Sequence, residues 1–146
     1  RANAPCRLEA VDAGKRDVVA FQIVTMGSAA TKRTEETQAR GDYSDSFYSH
    51  GLSVSSAEAL AEYTHQRIRE MLQIGPETGK RYSWGYGACP DLEDHAQLFK
   101  ILPAEKELGM QLTTAFQLIP EQSTAAIIVH HPQAKYYAVR GEGTGR

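Results

Sequence analysis

The part of the sequence richest in groups that can bind a ligand is residues 81–90. It contains one arginine, three aromatic residues, two glycines, a cysteine and a proline. An arginine can hold a carboxylate through two hydrogen bonds, bare glycine backbone can approach a flat heterocycle, and aromatic faces attract cations. Because glycine and proline interrupt regular backbone, the whole stretch is predicted to be a loop.

Three other chemistries fit the residue types here but not their context. Zinc binding by Cys89, His95 and the pair at 130–131 uses the right ligands, yet no second cysteine lies close by. Nucleophilic attack by Cys89 needs a lowered thiol pKa, which Pro90 and nearby acids oppose. A phosphate loop at 85–88 needs a preceding strand, which is not predicted, and a following Lys-Ser/Thr pair. The loop therefore suits an amino-acid-bearing nucleoside better.

The composition of the whole chain limits its class. Its 146 residues suffice for one domain, and 41% hydrophobic residues with a net charge of −2 are typical of a soluble globular protein. The absence of excess basic charge argues against nucleic acid as a partner. Apolar runs fall short of the roughly 20 residues that span a bilayer, which argues against a membrane. Two cysteines are too few for a disulfide scaffold, which favours the reducing cytoplasm.

Hydrophobic periodicity predicts an α+β fold. Residues 17–26 are rich in β-branched side chains and predict a buried strand. A polar connector at 28–40 with a short helix follows, and then a long helix over 42–74, interrupted near Gly51. Glu58 lies one turn before Glu62 on that helix, and periodicity alone assigns both to a solvated face.

The second half of the chain predicts shorter elements. These are a helix at 92–102 capped by Asp91, a further turn at 104–108, a strand at 110–119, and a hairpin of strands 125–129 and 135–139. Strands at both ends with helices between them indicate a mostly antiparallel sheet covered on one side. We divide the chain into a leading segment 1–16, one domain over 17–139, and a flexible glycine-rich tail, 140–146.

The ordered motifs resemble one family. Arg81-x-x-x-Gly85-Tyr86-x-x-Cys89-Pro90 is similar to the S-adenosylmethionine-binding motif in the activation domain of cobalamin-dependent methionine synthase. The resemblance extends to Ala-Glu-x-x-Ala-Glu-Tyr-x-His at 57–65, to Gly-Met-x-Leu-Thr at 109–113, and to His-Pro-x-x-Lys-Tyr-Tyr-Ala-Val at 131–139. Together with the strand at 17–27, it covers most of residues 17–139.

The resemblance implies a fold and a role. The fold would be a single C-shaped α+β domain with a twisted, mostly antiparallel sheet, one long helix and shorter ones. It would bind S-adenosylmethionine and position the sulfonium methyl for reductive methylation of cob(II)alamin. The cobalamin-binding domain of the same enzyme would hold that cofactor, and a flavodoxin-type donor would supply the electron. The chain would then be part of a methyltransferase, inactive alone, with no catalytic acid or base and no resident metal, since its task is orientation.

Seven residues are implied to bind S-adenosylmethionine: Glu58, Arg81, Gly85, Tyr86, Ala88, Tyr136 and Tyr137. Arg81 would clamp the ligand carboxylate, and Glu58 would offset its positive charge. The backbone of the loop would meet the adenine at Gly85 and Ala88, with Tyr86 beside the ligand and facing the corrin. The two closing tyrosines would complete the pocket, although adjacent strand residues face opposite ways, so at least one of them is structural.

Two alternatives remain open from the sequence. One is a stand-alone S-adenosylmethionine-binding sensor, or a subunit of a split enzyme, without methylation activity. The other is a structural α+β domain that binds no small ligand. The first predicts ligand binding without any change in cobalamin, and the second predicts no heat of binding when S-adenosylmethionine is added.

Overall fold

A computed structural model describes residues 19–131 and 133–136, so the predicted segments 1–16 and 140–146 lie outside the described residues. Helices and strands follow one another as β1 (Val19–Thr25), α1 (Ser28–Ala39), α2 (Tyr43–Leu72), β2 (Lys80–Ser83), α3 (Asp94–Ile101), α4 (Ala104–Leu108), β3 (Gln111–Leu112), β4 (Leu118–Ile119) and β5 (Ser123–Val129). The predicted α+β class, with an antiparallel sheet, a long helix and shorter helices, is confirmed.

The central strand of the main sheet is β5. The sheet has the order β1-β5-β2, and β5 pairs antiparallel with both neighbours. Its residues Ala126 and Ile128 are fully buried, as expected for a strand with neighbours on both edges. The predicted strands at 17–26 and 125–129 are therefore confirmed over their described residues.

The long helix α2 covers one face of this sheet. Ala57, Ala61 and His65 follow one another at one-turn intervals and are buried. From the facing strand β1, Gln22 Nε2 donates a hydrogen bond to the carbonyl oxygen of Ala61 at 2.9 Å. The interruption predicted near Gly51 is absent, because one glycine costs only about 1 kcal/mol in a helix and α2 runs unbroken for 30 residues.

The predicted closing hairpin is wrong over its described residues. Both edges of 126–129 are already occupied, one by β1 and the other by β2. Lys135 and Tyr136 consequently lie outside any strand, while 137–139 fall outside the described residues. A strand with both edges paired has no backbone groups left for a third partner.

The middle of the chain also differs in detail from the prediction. Instead of one strand over 110–119, β3 and β4 form a small hairpin, and Thr113 Oγ1 in its turn accepts the N–H of Gln117 at 3.0 Å. Phe116 in that turn adopts a left-handed φ of 59°. Helix α3 begins at Asp94, without a side-chain cap from Asp91. The short helices predicted within 28–40 and at 104–108 are confirmed as α1 and α4.

Candidate functional site

The binding motif does not begin as a loop, because its first residues belong to β2. This edge strand pairs Arg81 with Ile128 and Tyr82 with Ile127 of β5. The expectation of a loop over all of 81–90 is therefore wrong for 81–83, since a distant strand supplies hydrogen-bond partners that no local pattern reveals. The strand also fixes which way each side chain points, because successive residues alternate between the two faces.

Arg81 points toward α2 and enters a cluster of charged side chains, Glu58, Glu62, Arg69 and Arg81, which we call the charge cluster. Arg81 Nη2 lies 3.6 Å from Glu58 Oε2, and Arg81 Nε lies 3.6 Å from Glu62 Oε2. The other oxygen of Glu62 is 3.0 Å from Arg69 Nη1. Both arginine side chains are largely buried, at 13% exposed for Arg81 and 11% for Arg69. Two cations are thus held between α2 and the edge of the sheet.

The ion pairs of Arg81 leave most of its hydrogen-bonding capacity unused. A separation of 3.6 Å is beyond hydrogen-bond range, and within the described residues the buried Nε of Arg81 has no hydrogen-bond partner. A guanidinium carries five N–H donors in a planar fork that matches a carboxylate. The site can therefore accept an anionic group at Arg81 while Glu58 offers a neighbouring negative charge.

His65 lies beside the charge cluster on the buried face of α2. Its ring is 5.5 Å from the ring of His130, which follows β5. Burial, and next the positive charge of Arg69, lower the pKa of His65 from 6.5 to about 4. His65 is consequently neutral at physiological pH and adds no third cation to this end of the helix.

The glycine-rich loop that follows β2 is closed by its own backbone. The N–H of Gly85 donates to the carbonyl of Cys89 at 2.8 Å, and the N–H of Cys89 donates to the carbonyl of Tyr86 at 2.9 Å. Gly85 has a φ of 87°, a left-handed conformation that favours glycine. Across the described part of the chain no hydrogen bond uses the backbone of Ala88, and Tyr86 is 72% exposed. The loop thus offers open backbone and an accessible aromatic ring.

Tyr136 lies on the other face of β2. Its ring is 5.9 Å from that of Tyr82, and Lys80 Nζ lies 5.6 Å from its centroid. The hydroxyl of Tyr82 donates to the carbonyl of Lys135 at 2.9 Å and holds this segment against the strand. Arg81, between Lys80 and Tyr82, faces the opposite way, so Tyr136 does not join the charge cluster. Tyr137 lies outside the described residues.

The structure separates the residues considered for zinc binding. His95 Nδ1 lies 2.7 Å from the carbonyl oxygen of Phe116, and its ring packs edge-on against Trp84. His130 instead contacts His65. Among the residues that the structure describes, no group of three or more histidines, cysteines or acids could hold a metal ion.

The phosphate-loop alternative needs one correction. A strand, β2, does precede the glycines at 85–88. That alternative still lacks the Lys-Ser/Thr pair, because Cys89 and Pro90 follow instead.

A cavity of about 320 Å³ lies elsewhere, between Phe99, Glu105 and Met110, and none of the predicted site residues lines it.

Sequence reasoning missed two members of the charge cluster, Glu62 and Arg69. Glu62 lies one turn after Glu58 on the helix, and Arg69 lies two turns after Glu62. This spacing was the sequence signal that could have identified them. It placed them near one face without indicating what that face contacts. The missing information was that β2 forms and brings Arg81 against this side of α2.

Comparisons with known proteins agree on one family. Residues 8–143 match the family described as vitamin B12 dependent methionine synthase, activation domain. The chain is 42% identical over 149 aligned residues to methionine synthase of Mycobacterium tuberculosis and 40% identical to that of Mycobacterium leprae. Each alignment covers 89% of this chain but 12% of the mycobacterial enzyme.

A solved structure has a similar fold. The crystal structure of the MetH reactivation domain bound to AdoHcy superposes with a TM-score of 0.75 at 30% sequence identity. The match covers 82% of this chain and 41% of that one.

Within the described residues, no helix combines the length and apolar character needed to span a membrane.

Proposed function

Because the chain belongs to the family of vitamin B12 dependent methionine synthase activation domains, we propose that it binds S-adenosylmethionine between the charge cluster and the loop at 84–89. The chain spans only 12% of the length of the mycobacterial enzymes that it resembles. That it takes part in the reaction of a whole methionine synthase is therefore also a proposal. The similar reactivation domain was crystallised with AdoHcy, the product that S-adenosylmethionine leaves after giving up its methyl group.

The observation that carries the proposal is the juxtaposition of Arg81 and Glu58 at 3.6 Å. The amino-acid end of S-adenosylmethionine bears a carboxylate and an ammonium group on one carbon. A guanidinium next to a carboxylate is complementary to this pair, and charge-assisted hydrogen bonds are roughly twice as strong as neutral ones. Arg81 would bind the ligand carboxylate, and Glu58 would bind the ammonium or lie near the sulfonium.

The loop after β2 would receive the nucleoside. The N–H and C=O of Ala88 are available for the adenine edge. Gly85 allows the chain to turn at the start of the loop, because its backbone is left-handed. The exposed ring of Tyr86 would lie beside the ligand and face the corrin. Tyr136 and Tyr137 remain predicted contacts, and Tyr136 would have to reach the ligand around the edge of β2.

The role of these residues would be orientation rather than acid–base chemistry. S-adenosylmethionine would supply the methyl group, and a flavodoxin-type donor would supply one electron to cob(II)alamin held by the cobalamin-binding domain of the same enzyme. This chain would fix the sulfonium methyl toward that partner, a contribution from proximity that can be worth several kcal/mol. The chain would act as part of a methyltransferase, inactive alone, in the cytoplasm, the compartment predicted from its low cysteine content.

Calorimetric titration of S-adenosylhomocysteine into the 146-residue chain tests binding directly. We expect saturable binding that Arg81→Ala weakens roughly 10- to 100-fold, because hydrogen bonds to charged groups contribute about 1.5–3 kcal/mol. Arg67→Ala is the matched control, because Arg67 is an exposed arginine of α2 outside the charge cluster, where it pairs with Glu70. Equal affinities for the wild type and Arg81→Ala would refute the assignment of Arg81.

A second assay separates methylation from binding alone. The chain is mixed with a cob(II)alamin-loaded partner domain, reduced flavodoxin and S-adenosylmethionine, and the cobalamin spectrum is followed. A change to the spectrum of methylcobalamin is expected. Binding of S-adenosylmethionine with no such change would instead favour the stand-alone sensor or split-enzyme alternative.

A further inference from the structure

The two carboxylates of the charge cluster are not equivalent. Among the described residues, Glu58 pairs with one cation, Arg81, whereas Glu62 lies between two, with Oε2 toward Arg81 and Oε1 toward Arg69. The shorter of these pairs is the one with Arg69, at 3.0 Å. Glu62 is therefore held from one side by an independent cation, and Glu58 is not.

Arg69 is itself fixed to the backbone in front of β2. Its Nε donates to the carbonyl oxygen of Thr78 at 2.9 Å, and its side chain is only 11% exposed. Next along the chain, Gly79 packs so closely that an added Cβ would lie 2.5 Å from His130 Cδ2. Arg69 thus connects the C-terminal turns of α2 to the start of the strand that carries Arg81.

The geometry at Arg81 shows which part of its guanidinium is occupied. Glu62 lies on the Nε side and Glu58 approaches Nη2. The two outer nitrogens form one edge of the planar fork. Glu58 approaches that edge only at 3.6 Å, beyond hydrogen-bond range, so the edge can accept a carboxylate in bidentate fashion once Glu58 turns away.

We propose that Glu62 and Arg69 are positioning residues that orient Arg81, so that its outer edge receives the carboxylate of the ligand. Glu58, which pairs with no second cation in the part of the chain that the structure describes, is the partner that turns to the ligand ammonium. This inference rests on the proposed binding of an S-adenosylmethionine-type ligand. It adds that two glutamates one turn apart on the same helix have different roles: Glu62 orients Arg81, and Glu58 binds the ligand ammonium.

The test is the affinity of Glu62→Gln for two ligands that share the nucleoside but differ in the amino-acid group. S-adenosylhomocysteine carries the carboxylate, whereas 5′-methylthioadenosine lacks the entire amino-acid group. We expect Glu62→Gln to bind S-adenosylhomocysteine about tenfold more weakly, because Arg81 is no longer held in place. Binding of methylthioadenosine should stay within about twofold of wild type, which a general structural defect would not allow.

A double-mutant cycle gives an independent measurement. Once Arg81→Ala has removed the guanidinium, adding Glu62→Gln should weaken S-adenosylhomocysteine binding by less than about twofold further. Arg69→Gln, when it is added to Arg81→Ala, should likewise weaken S-adenosylhomocysteine binding by less than about twofold further. Glu70→Gln, which breaks the exposed pair with Arg67 on the same helix, is the control expected to bind both ligands as the wild type does.

The outcomes separate this inference from the function on which it rests. If the wild type binds S-adenosylhomocysteine but Glu62→Gln binds it equally or more tightly, the positioning role is overturned and the proposed function stands. The same conclusion follows if the variant loses both ligands equally, or if its loss adds fully to that of Arg81→Ala. Failure of the wild type to bind S-adenosylhomocysteine would overturn the proposed function and this inference with it.

Discussion

The two halves of α2 pack in different ways. The N-terminal half lies against α1 through polar contacts, such as Ser46 Oγ donating to the carbonyl of Thr34 at 3.2 Å. It leaves large apolar side chains on its surface: Tyr43, Phe47, Tyr48 and Leu52, each about 70% exposed. The C-terminal half buries Ala57, Ala61 and His65 against the sheet and carries the charge cluster.

The difference shows how the fold positions the site. Small residues at 57 and 61 let α2 approach the sheet closely, and the carboxylates one residue further along then reach the edge strand. Because β2 is at the edge of the sheet, Arg81 lies where the helix–sheet interface opens to solvent. In the N-terminal half, the arginine that pairs with α2 comes from a helix instead: Arg33 of α1 lies 3.8 Å from Asp45.

The largest effect on stability is expected at the closest approach of helix and sheet. Ala61 is fully buried, and Ala61→Phe forces a ring into that contact, which should lower the free energy of unfolding by about 3 kcal/mol. Ala59→Phe, at an exposed position of the same helix, is the control and should change it by less than about 0.5 kcal/mol. Urea denaturation measures both. Equal effects would show that α2 does not pack on the sheet through Ala61.

The next effect is a pH dependence of the free energy of unfolding, which is expected from His65 in the C-terminal half of α2. His65 has a pKa of about 4 when folded and 6.5 when unfolded, so the unfolded chain binds more protons between these values. Stability is therefore unaffected above about pH 7 and falls as the pH drops, by about 2 kcal/mol between pH 7 and 5. Denaturation at the two pH values should show this loss for wild type and for His131→Gln. If His65→Gln loses the same amount, His65 is not the source.

The smallest effect is expected in the exposed half. Phe47 is 74% exposed and contacts Tyr48 edge-on at 5.9 Å. Phe47→Ala should change the free energy of unfolding by about 0.5 kcal/mol or less, because little of the ring is removed from water. A loss of several kcal/mol in thermal or urea denaturation would mean that this ring is buried in solution, and the contrast between the two halves would then be wrong.

The sequence predicted the elements that depend on local pattern. Strand β1, the span of α2 and the short helices α1 and α4 follow from β-branched density, helical periodicity and glycine or proline stops. Strand β2 was missed because it depends on pairing with β5, which lies far along the chain. The same non-local pairing explains why the expected hairpin of 125–129 with 135–139 does not form over its described residues.

The candidate site was predictable only in part for a similar reason. Arg81 and Glu58 came from the family resemblance, and the structure brings them together. Glu62 and Arg69 had a visible helical spacing, and the predicted solvated face is confirmed for Glu62, whose side chain is 59% exposed. Nothing local indicates that a strand brings Arg81 to that face. The contact of Tyr136 with Lys80 and Tyr82, rather than with Arg81, depends on the alternation of β2 and could not be foreseen without it.

The most direct test of this account is a crystal structure of the chain with S-adenosylhomocysteine, in which the distance from the ligand carboxylate to Arg81 is measured. We predict hydrogen bonds of about 2.7–2.9 Å from the outer guanidinium nitrogens to that carboxylate, with Glu62 still beside Arg69. Ligand bound with its carboxylate away from Arg81, or Arg81 still occupied by Glu58 and Glu62 alone, would contradict the central claim that the charge cluster recognises the amino-acid end of the ligand.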